Sequence, residues 1–318
     1  MKNDIICSII IRSYNEEKHI GRLIDGINKQ KNVTGIEIIV VDSGSTDSTT
    51  YIAHKMGASV ISIRSGDFSF GRALNIGCSA AKGKYLLFAS AHVYPLYTNW
   101  IEKMLKPFED EKVGLVYGRQ TGNENTRYSE LQLMNKWFPK ESNYNQLTPF
   151  CNNANAIVRR SLWEEQPYDE SLTGLEDLDW GLKIQKKGWK IVYEAHASIV
   201  HVHEENASKI KNRYRREAIA LKRILPNQSM NLFDFIRLTV INIVIDVFHA
   251  FHERKLFLNF RDIVQFRTMQ FLGTYIGFRQ KNEVDAQLRK RFYYPNELKK
   301  KNKEPEYGER IIYSAVES

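Results

Sequence analysis

The N-terminal part of the chain alternates between two chemistries, and that alternation leaves few folds open. Residues 5–11, 36–41, 59–63 and 85–89 are short apolar runs rich in Ile and Val. Between them lie stretches with helical spacing. Residues 18–30 carry Ile20, Leu23, Ile24 and Ile27, residues 47–56 close at Gly57, and residues 70–81 close at Lys82-Gly83. The run at 36–41 is continuous rather than alternating, as a strand covered on both faces requires. Strands that alternate with helices predict a parallel sheet with right-handed crossovers. Ligands of such sheets bind beyond the C-terminal strand ends.

Further along, residues 115–117, 155–158, 190–193 and 198–203 read as strands. Residues 178–187 read as a helix, with Gly188 where a left-handed cap belongs. Residues 119–148 read as a polar excursion with scattered aromatics, covering one side of a site. After Glu204 the pattern is mostly helical. The expected organisation is a Rossmann-like α/β domain over 1–205, divided into a nucleotide-binding half (1–118) and an acceptor and catalytic half (119–205). A basic helical region (206–298) and a charged tail (299–318) follow.

The net charge of +9 is not spread evenly. From Lys209 onward there are 22 Lys and Arg against 12 Asp and Glu, so the preceding part is near neutral. An anionic membrane, another anion, nucleic acid and a plain solvated helical surface all suit such a region. Residues 232–251 are the most apolar stretch, but Asp234, Arg237, Asp246 and His249 argue against a spanning helix. The three cysteines, Cys7, Cys78 and Cys151, give neither a disulfide framework nor a zinc motif, and a reducing compartment fits best. The first apolar run is too short for a signal peptide. A cytoplasmic protein is expected.

Two strand ends stand out chemically. The first apolar run stops abruptly at Arg12-Ser13-Tyr14-Asn15-Glu16-Glu17. The second delivers Asp42 to a strand tip, followed by Ser43-Gly44-Ser45-Thr46-Asp47. A carboxylate there can accept hydrogen bonds from a ribose hydroxyl or a base N–H. It can equally organise the turn, a role that suits Asp47 at a helix start.

In this order the two segments resemble the opening of the inverting family-two glycosyltransferases, whose fold is called GT-A. The resemblance continues through Arg72-Ala-Leu-Asn-Ile-Gly77, residues 81–88, Phe150-Cys-Asn-Asn-Ala-Asn155, Arg159-Arg160, Tyr168-Asp-Glu170, Gly174-Leu-Glu-Asp-Leu-Asp-Trp180, Gly188 and Val200-His201-Val202-His203. It implies that Arg12, Ser13, Tyr14 and Glu16 border the nucleotide and that Asp42 binds its base or ribose. Arg72 and Asn75 would lie near the diphosphate, with Ser90 and His92 beside them. Asn153, Asn155, Glu176 and Trp180 would face the sugar or acceptor. Asp177 of the Glu176-Asp177 pair would be the general base that inversion requires. The helix N-terminus is expected to keep that carboxylate ionised.

One motif departs from the family. An Asp-x-Asp pair usually follows the fourth strand and holds a divalent cation, Mn or Mg. Here Ser90-Ala91-His92 stands in its place, as in a rhamnosyltransferase-like branch of the family. Two solutions are open. One is metal-free, with Ser90, His92, Arg72 and Arg12 acting on the diphosphate. The other places a metal on His92 with His201 and His203, whose spacing of two puts both on one face of an extended segment.

The expected function is transfer of a sugar from a dTDP- or UDP-linked donor to a hydroxyl acceptor in bacterial surface polysaccharide synthesis. The acceptor would be a saccharide or lipid-linked saccharide. The basic helices would then dock on an anionic membrane at the cytoplasmic face, and no nucleic acid is expected. Two rivals are a nucleotidyltransferase, which wants a glycine-rich loop where Arg12–Glu17 stands, and a non-catalytic nucleotide-sugar-binding module.

Overall fold

The first apolar run forms the buried strand β1 (Cys7–Ser13), with Ile9, Ile10 and Ile11 fully enclosed. In the computed structural model, which describes residues 5–281 and residue 293, six elements follow in regular alternation. They are α1 (Ile20–Asn28), β2 (Ile36–Asp42), α2 (Thr49–Lys55), β3 (Ser59–Ser62), α3 (Phe70–Ala80) and β4 (Tyr85–Ser90). β3, β2, β1 and β4 lie side by side and parallel. Successive residues of β1 feed two different cores. Ile9 and Ile11 face one layer with Leu23, and Ile10 faces the other with Leu74 and Val41. Register aligns Ser13 with Asp42 and Arg12 with Ser90, so three strands end at one level.

The second half adds β5 (Val93–Pro95), α4 (Trp100–Leu105), β6 (Val113–Thr121), α5 (Tyr128–Trp137), β7 (Asn155–Arg159), α6 (Arg160–Glu165), α7 (Glu176–Lys186) and β8 (Lys190–His201). The sheet order is β3-β2-β1-β4-β7-β6-β8-β5. β7 is antiparallel to both its neighbours, so the sheet is parallel only through β4 and mixed beyond it. The two strands expected at 190–193 and 198–203 are one continuous strand. β8 pairs with β6 across an irregularity between Gly118 and Gln120. A Cβ on Gly118 would lie 2.2 Å from the Ala197 carbonyl oxygen, so only glycine allows that approach. The polar excursion contains a helix the sequence reading missed, α5, whose buried face holds Tyr128, Ser129, Glu130 and Met134. Polar residues on the buried side disguised its period.

Three long helices close the described chain: α8 (Ala207–Ile224), α9 (Leu232–His252) and α10 (Leu256–Phe278). They belong to the same compact unit as the sheet. At Gly273 a Cβ would meet the Lys211 carbonyl oxygen at 2.3 Å, so glycine lets α10 approach the α8 backbone. Asn231 and Asp234 form a reciprocal capping box at the start of α9. Asp246 and Arg267 are buried between α9 and α10 in a two-pronged ion pair, at 2.7 and 2.9 Å. Of the charges that argued against a spanning helix, Asp246 therefore faces inward, while Arg237 is exposed. No helix among the described residues is long and apolar enough to cross a membrane. The tail from 299 lies outside the described residues, as does the end of the basic region.

Candidate active site

The loops after β1 and β2 are laced together. Asn15, in the left-handed region at φ 53°, accepts from Thr46 N through its side chain and donates its own N–H to Ser45 Oγ. Glu17 accepts from Ser48 N, and Glu16 N donates to Thr49 Oγ1. Asp42 sits beneath this lacing, 2% exposed. One carboxylate oxygen accepts from Gly44 N and Ser45 N, the other from Ser13 Oγ and Ser45 Oγ. Four donors satisfy it. Asp42 therefore holds the turn, and the open carboxylate expected for a ribose or base is corrected to that role. Ser13 is its buried partner, and Tyr14 lies half-buried just above.

Arg12 reaches from β1 to the start of α7. Its guanidinium is 3.1 Å from Glu176 Oε1, with both side chains largely buried, and it stacks on the Phe70 ring at 4.7 Å. Arg216 of α8 covers the same ring at 4.6 Å. Two guanidinium groups from distant parts of the chain thus flank one aromatic side chain beside the strand tips.

α7 begins from Leu175, a non-glycine residue in the left-handed region at φ 55°. Such a backbone costs on the order of 1–3 kcal/mol and persists only where its surroundings enforce it. The turn delivers Glu176 to Arg12 and Asp177 to the opposite wall. Asp177 accepts from Asn153 N at 3.1 Å and from its neighbour Leu178 N at 2.8 Å. Burial in crowded surroundings and the adjacent Glu176 charge push its carboxyl up to about 7, against the opposing pull of those two N–H groups and Arg12. The pull of the helix end on that carboxylate is thus opposed by its crowded surroundings and by Glu176. Desolvation is the largest of these influences and favours the protonated form. Asn153 is buried beside it, and its Nδ2 has no hydrogen-bond partner among the described residues.

The three histidines converge. His92 and His201 stack with ring centroids 5.0 Å apart, and His201 and His203 meet at 4.0 Å. His92 Nδ1 lies 2.7 Å from Glu16, His201 Nδ1 2.7 Å from Gln120 and His203 Nδ1 2.5 Å from Glu130. Burial drives His201 well below the usual histidine range, and His203, His92, Arg213 and Arg12 add to that. Burial alone would raise Glu130, but His203 and Arg213 hold it down at about 2.

Several expected site residues go elsewhere. Asn155 is fully buried, accepting from Trp100 Nε1 and donating to the carbonyls of Arg119 and Ala197. It ties three elements together and has no side-chain atom left for a sugar. Trp180 is fully buried too, its Nε1 donating to the Gln166 carbonyl. It packs on Tyr168 as core, not as an acceptor platform. Asn75 accepts from Trp163 Nε1 and Tyr168 N and donates to the Tyr168 carbonyl and Glu170. Arg72 is exposed and pairs with Glu170 at 3.3 Å. Both fasten α3 to residues 168–170. Ser90 keeps a half-buried place at the tip of β4 opposite Arg12. Sequence reasoning missed Phe70, Gln120, Glu130, Arg213 and Arg216. None lies in a motif, and only the tertiary fold brings them in.

Residues 8–166 match the family described as Glycosyl transferase family 2. The chain belongs to that family. It is 28% identical over 189 residues to the O-antigen chain rhamnosyltransferase WbaN of Salmonella anatum, covering 56% of this chain and 60% of that protein. It is 26% identical over 219 residues to the O-antigen chain rhamnosyltransferase RfbN of Salmonella typhimurium, covering 65% and 69%. The chain thus spans about two thirds of those relatives. In fold it resembles the mannosyltransferase PcManGT from Pyrobaculum calidifontis, solved with GDP-Man and Mn2+, with TM-score 0.62, 16% identity and 88% and 89% coverage. Membership in this glycosyltransferase family displaces the nucleotidyltransferase and binding-module readings, and the GT-A fold expected from the motifs is the one found.

Proposed function

We propose that this family-two member transfers a deoxyhexose or hexose, rhamnose first among them, from a dTDP- or UDP-linked donor. The acceptor is a hydroxyl of a surface polysaccharide intermediate carried on a lipid, and the anomeric carbon inverts. The observation that carries this reading is Asp177. It is a carboxyl in the first turn of α7, fixed by two backbone N–H groups and next to an ion pair that ties α7 to β1.

Asp177 takes the proton from the acceptor hydroxyl as its oxygen bonds to the anomeric carbon. The bond from that carbon to the phosphate oxygen breaks on the opposite face, and the electron pair leaves with the nucleoside diphosphate. Arg12 and Arg216, gathered at Phe70, provide positive charge for that leaving group. Asn153 Nδ2, buried and unpaired among the described residues, suits a substrate oxygen. The two Salmonella relatives, by name rhamnosyltransferases of O-antigen chains, support the sugar and the polymer.

A lipid-linked acceptor fits the far end of the molecule. α9 exposes Phe233, Ile236, Val240, Val244, Phe248 and Phe251 along one face. The turn into α10 exposes Phe257, Leu258 and Phe260 beside Arg254, Lys255 and Arg261. Apolar residues edged by cations suit an anionic bilayer surface, and the proposed location is the cytoplasmic face of the membrane.

The test is consumption of a panel of nucleotide sugars, with and without EDTA, in the presence of a lipid-linked saccharide. Turnover of dTDP-rhamnose or another dTDP or UDP sugar is expected. Consumption of a CMP-linked sugar alone would overturn the donor assignment.

A further inference from the structure

His92 and His201 come from distant stretches, and the antiparallel pairing of Val93 with His201 is what joins them. Each of the three imidazoles is held from behind by an oxygen: Glu16 on His92, Gln120 on His201, Glu130 on His203. A carboxylate or amide oxygen only accepts, so each Nδ1 carries the proton, and a ring in its neutral form offers a lone pair on Nε2. The Nε2 atoms of His201 and His203 are 3.0 Å apart, and one ring nitrogen from each of the three residues lies within 4.8 Å of the others. Two lone pairs at that distance repel unless a proton or a metal cation lies between them. Nitrogens bound to one tetrahedral zinc at about 2.0–2.1 Å sit roughly 3.3 Å apart, close to what is seen. An outward Nδ1–H on an oxygen is the arrangement that orients a metal-binding histidine.

We propose that His92, His201 and His203 bind one divalent transition ion of the zinc and cobalt class, leaving a fourth position for an oxygen of the donor's diphosphate. The fourth ligand rests on the transferase reading above, while the binding of the ion does not. Three nitrogens suit such an ion. Magnesium demands an octahedral set of oxygens, and no carboxylate stands where the family's Asp-x-Asp pair would supply them. Glu130, His203 and Glu205 form a second group of suitable spacing. Arg213 already bridges its two carboxylates at 2.7 and 2.8 Å, so a cation is in place there. The Glu16 and Glu130 charges behind the rings offset the ion's own. A metal-free state competes, in which His203, charged beside Glu130, donates its Nε2–H to the His201 Nε2 lone pair. With the Gln120 amide turned round instead, its NH2 would donate to His201 Nδ1. His201 would then carry its proton on Nε2 and donate to His203.

The experiment uses the full chain with any affinity tag removed, stripped with EDTA and titrated separately with Co2+, Zn2+ and Mg2+. Calorimetry follows each titration, and visible absorption follows cobalt. One equivalent of Co2+ should give the intense bands of a tetrahedral site, Zn2+ should displace it, and Mg2+ should bind at least about 100-fold more weakly. His92→Gln and His203→Gln should abolish the cobalt bands. Glu16→Gln, which alters only the bond behind His92, should weaken cobalt by about 10–100-fold. Circular dichroism checks each variant, and the partly exposed His92 gives the substitution that spares the core. Absence of cobalt bands, equal affinity for Mg2+, or unchanged bands in folded His92→Gln would each overturn the site. No sugar enters this measurement, so an inactive protein that binds cobalt would remove the transferase reading and leave the metal site standing.

Discussion

The strand-tip site and the α9–α10 hairpin are built inside out from one another. Around Arg12, Asp42 and Glu176, polar side chains are drawn into the interior and matched by partners from the same chain. In the hairpin the buried pair Asp246–Arg267 is matched in the same way, yet the outer face is a stripe of Phe, Ile and Val. A contiguous apolar stripe of that kind is uncommon on a free soluble surface. The first region is explained by contacts within the molecule. The second is not explained by contacts among the described residues. The two regions should therefore fail differently when altered.

The largest effect is expected in the site. Asp177→Asn keeps the shape but cannot take a proton, and turnover should fall by about 10²–10⁴, or ~3–5 kcal/mol of barrier. Nucleotide binding measured by calorimetry should persist. A variant that retains most of its turnover would assign the proton to another residue. In the hairpin, Asp246→Ala leaves Arg267 charged and unpaired in the interior. Urea unfolding should report a loss of about 3–5 kcal/mol. The double variant Asp246→Leu with Arg267→Met should recover most of it. Equal losses in the single and double variants would mean the helices need the pair for more than charge balance.

Smaller effects sharpen the contrast. Phe257→Ser with Leu258→Ser should leave thermal stability unchanged, because those side chains touch little in the fold. Flotation with anionic vesicles should weaken by up to about 1.5–3 kcal/mol for each side chain that inserts. Binding should also fall as salt shortens the Debye length from about 30 Å at 0.01 M to about 8 Å at 0.15 M. Unchanged flotation, or a dimer that the variant dissolves, would replace the bilayer with a second copy. Asp42→Ala removes the acceptor for four donors and should weaken nucleotide binding by about 1–3 kcal/mol through the loosened turn. Intact affinity would detach that turn from the nucleotide.

The parallel half of the sheet was legible because its signals are local. A β-branched run such as residues 36–41, followed by Asp42 and a Ser/Gly turn, specifies a buried strand and its tip without reference to the rest of the chain. The mixed half was not, since nothing local to residues 155–159 says that β7 runs antiparallel to both β4 and β6. α5 escaped notice because Glu130 faces inward to meet His203 and Arg213, so its polar residues sit on both faces. Motif order named Arg12, Glu176, Asp177 and the three histidines, and the fold draws Arg12 to Glu176 and the histidines to one another. Motif order could not separate Asn153, beside Asp177, from Asn155, two residues on and fully committed to the core. Asn153 lies in the turn before β7 while Asn155 opens the strand itself, and that difference exists only in three dimensions.

The remaining contrast is in pH. Asp177 must lose its proton before it can accept another, and its carboxyl is raised to about 7. The kcat/KM profile should therefore climb with pH, losing about tenfold for each unit below that value and levelling above it. Glu176 and Asp177 titrate as a pair, so the limb belongs to both. Glu176→Gln removes the like charge and frees Arg12, and both changes should move the limb towards acid. Stability runs the other way. A carboxyl raised on folding binds its proton more tightly in the native state. That advantage is whole below the unfolded carboxylate range and is lost as pH rises through about 7. Asp177→Asn should accordingly raise the melting temperature at pH 8 more than at pH 5, while turnover falls. A limb at the ordinary carboxylate range, with no pH-dependent gain in stability, would show that Asp177 is not raised and that another group sets the profile.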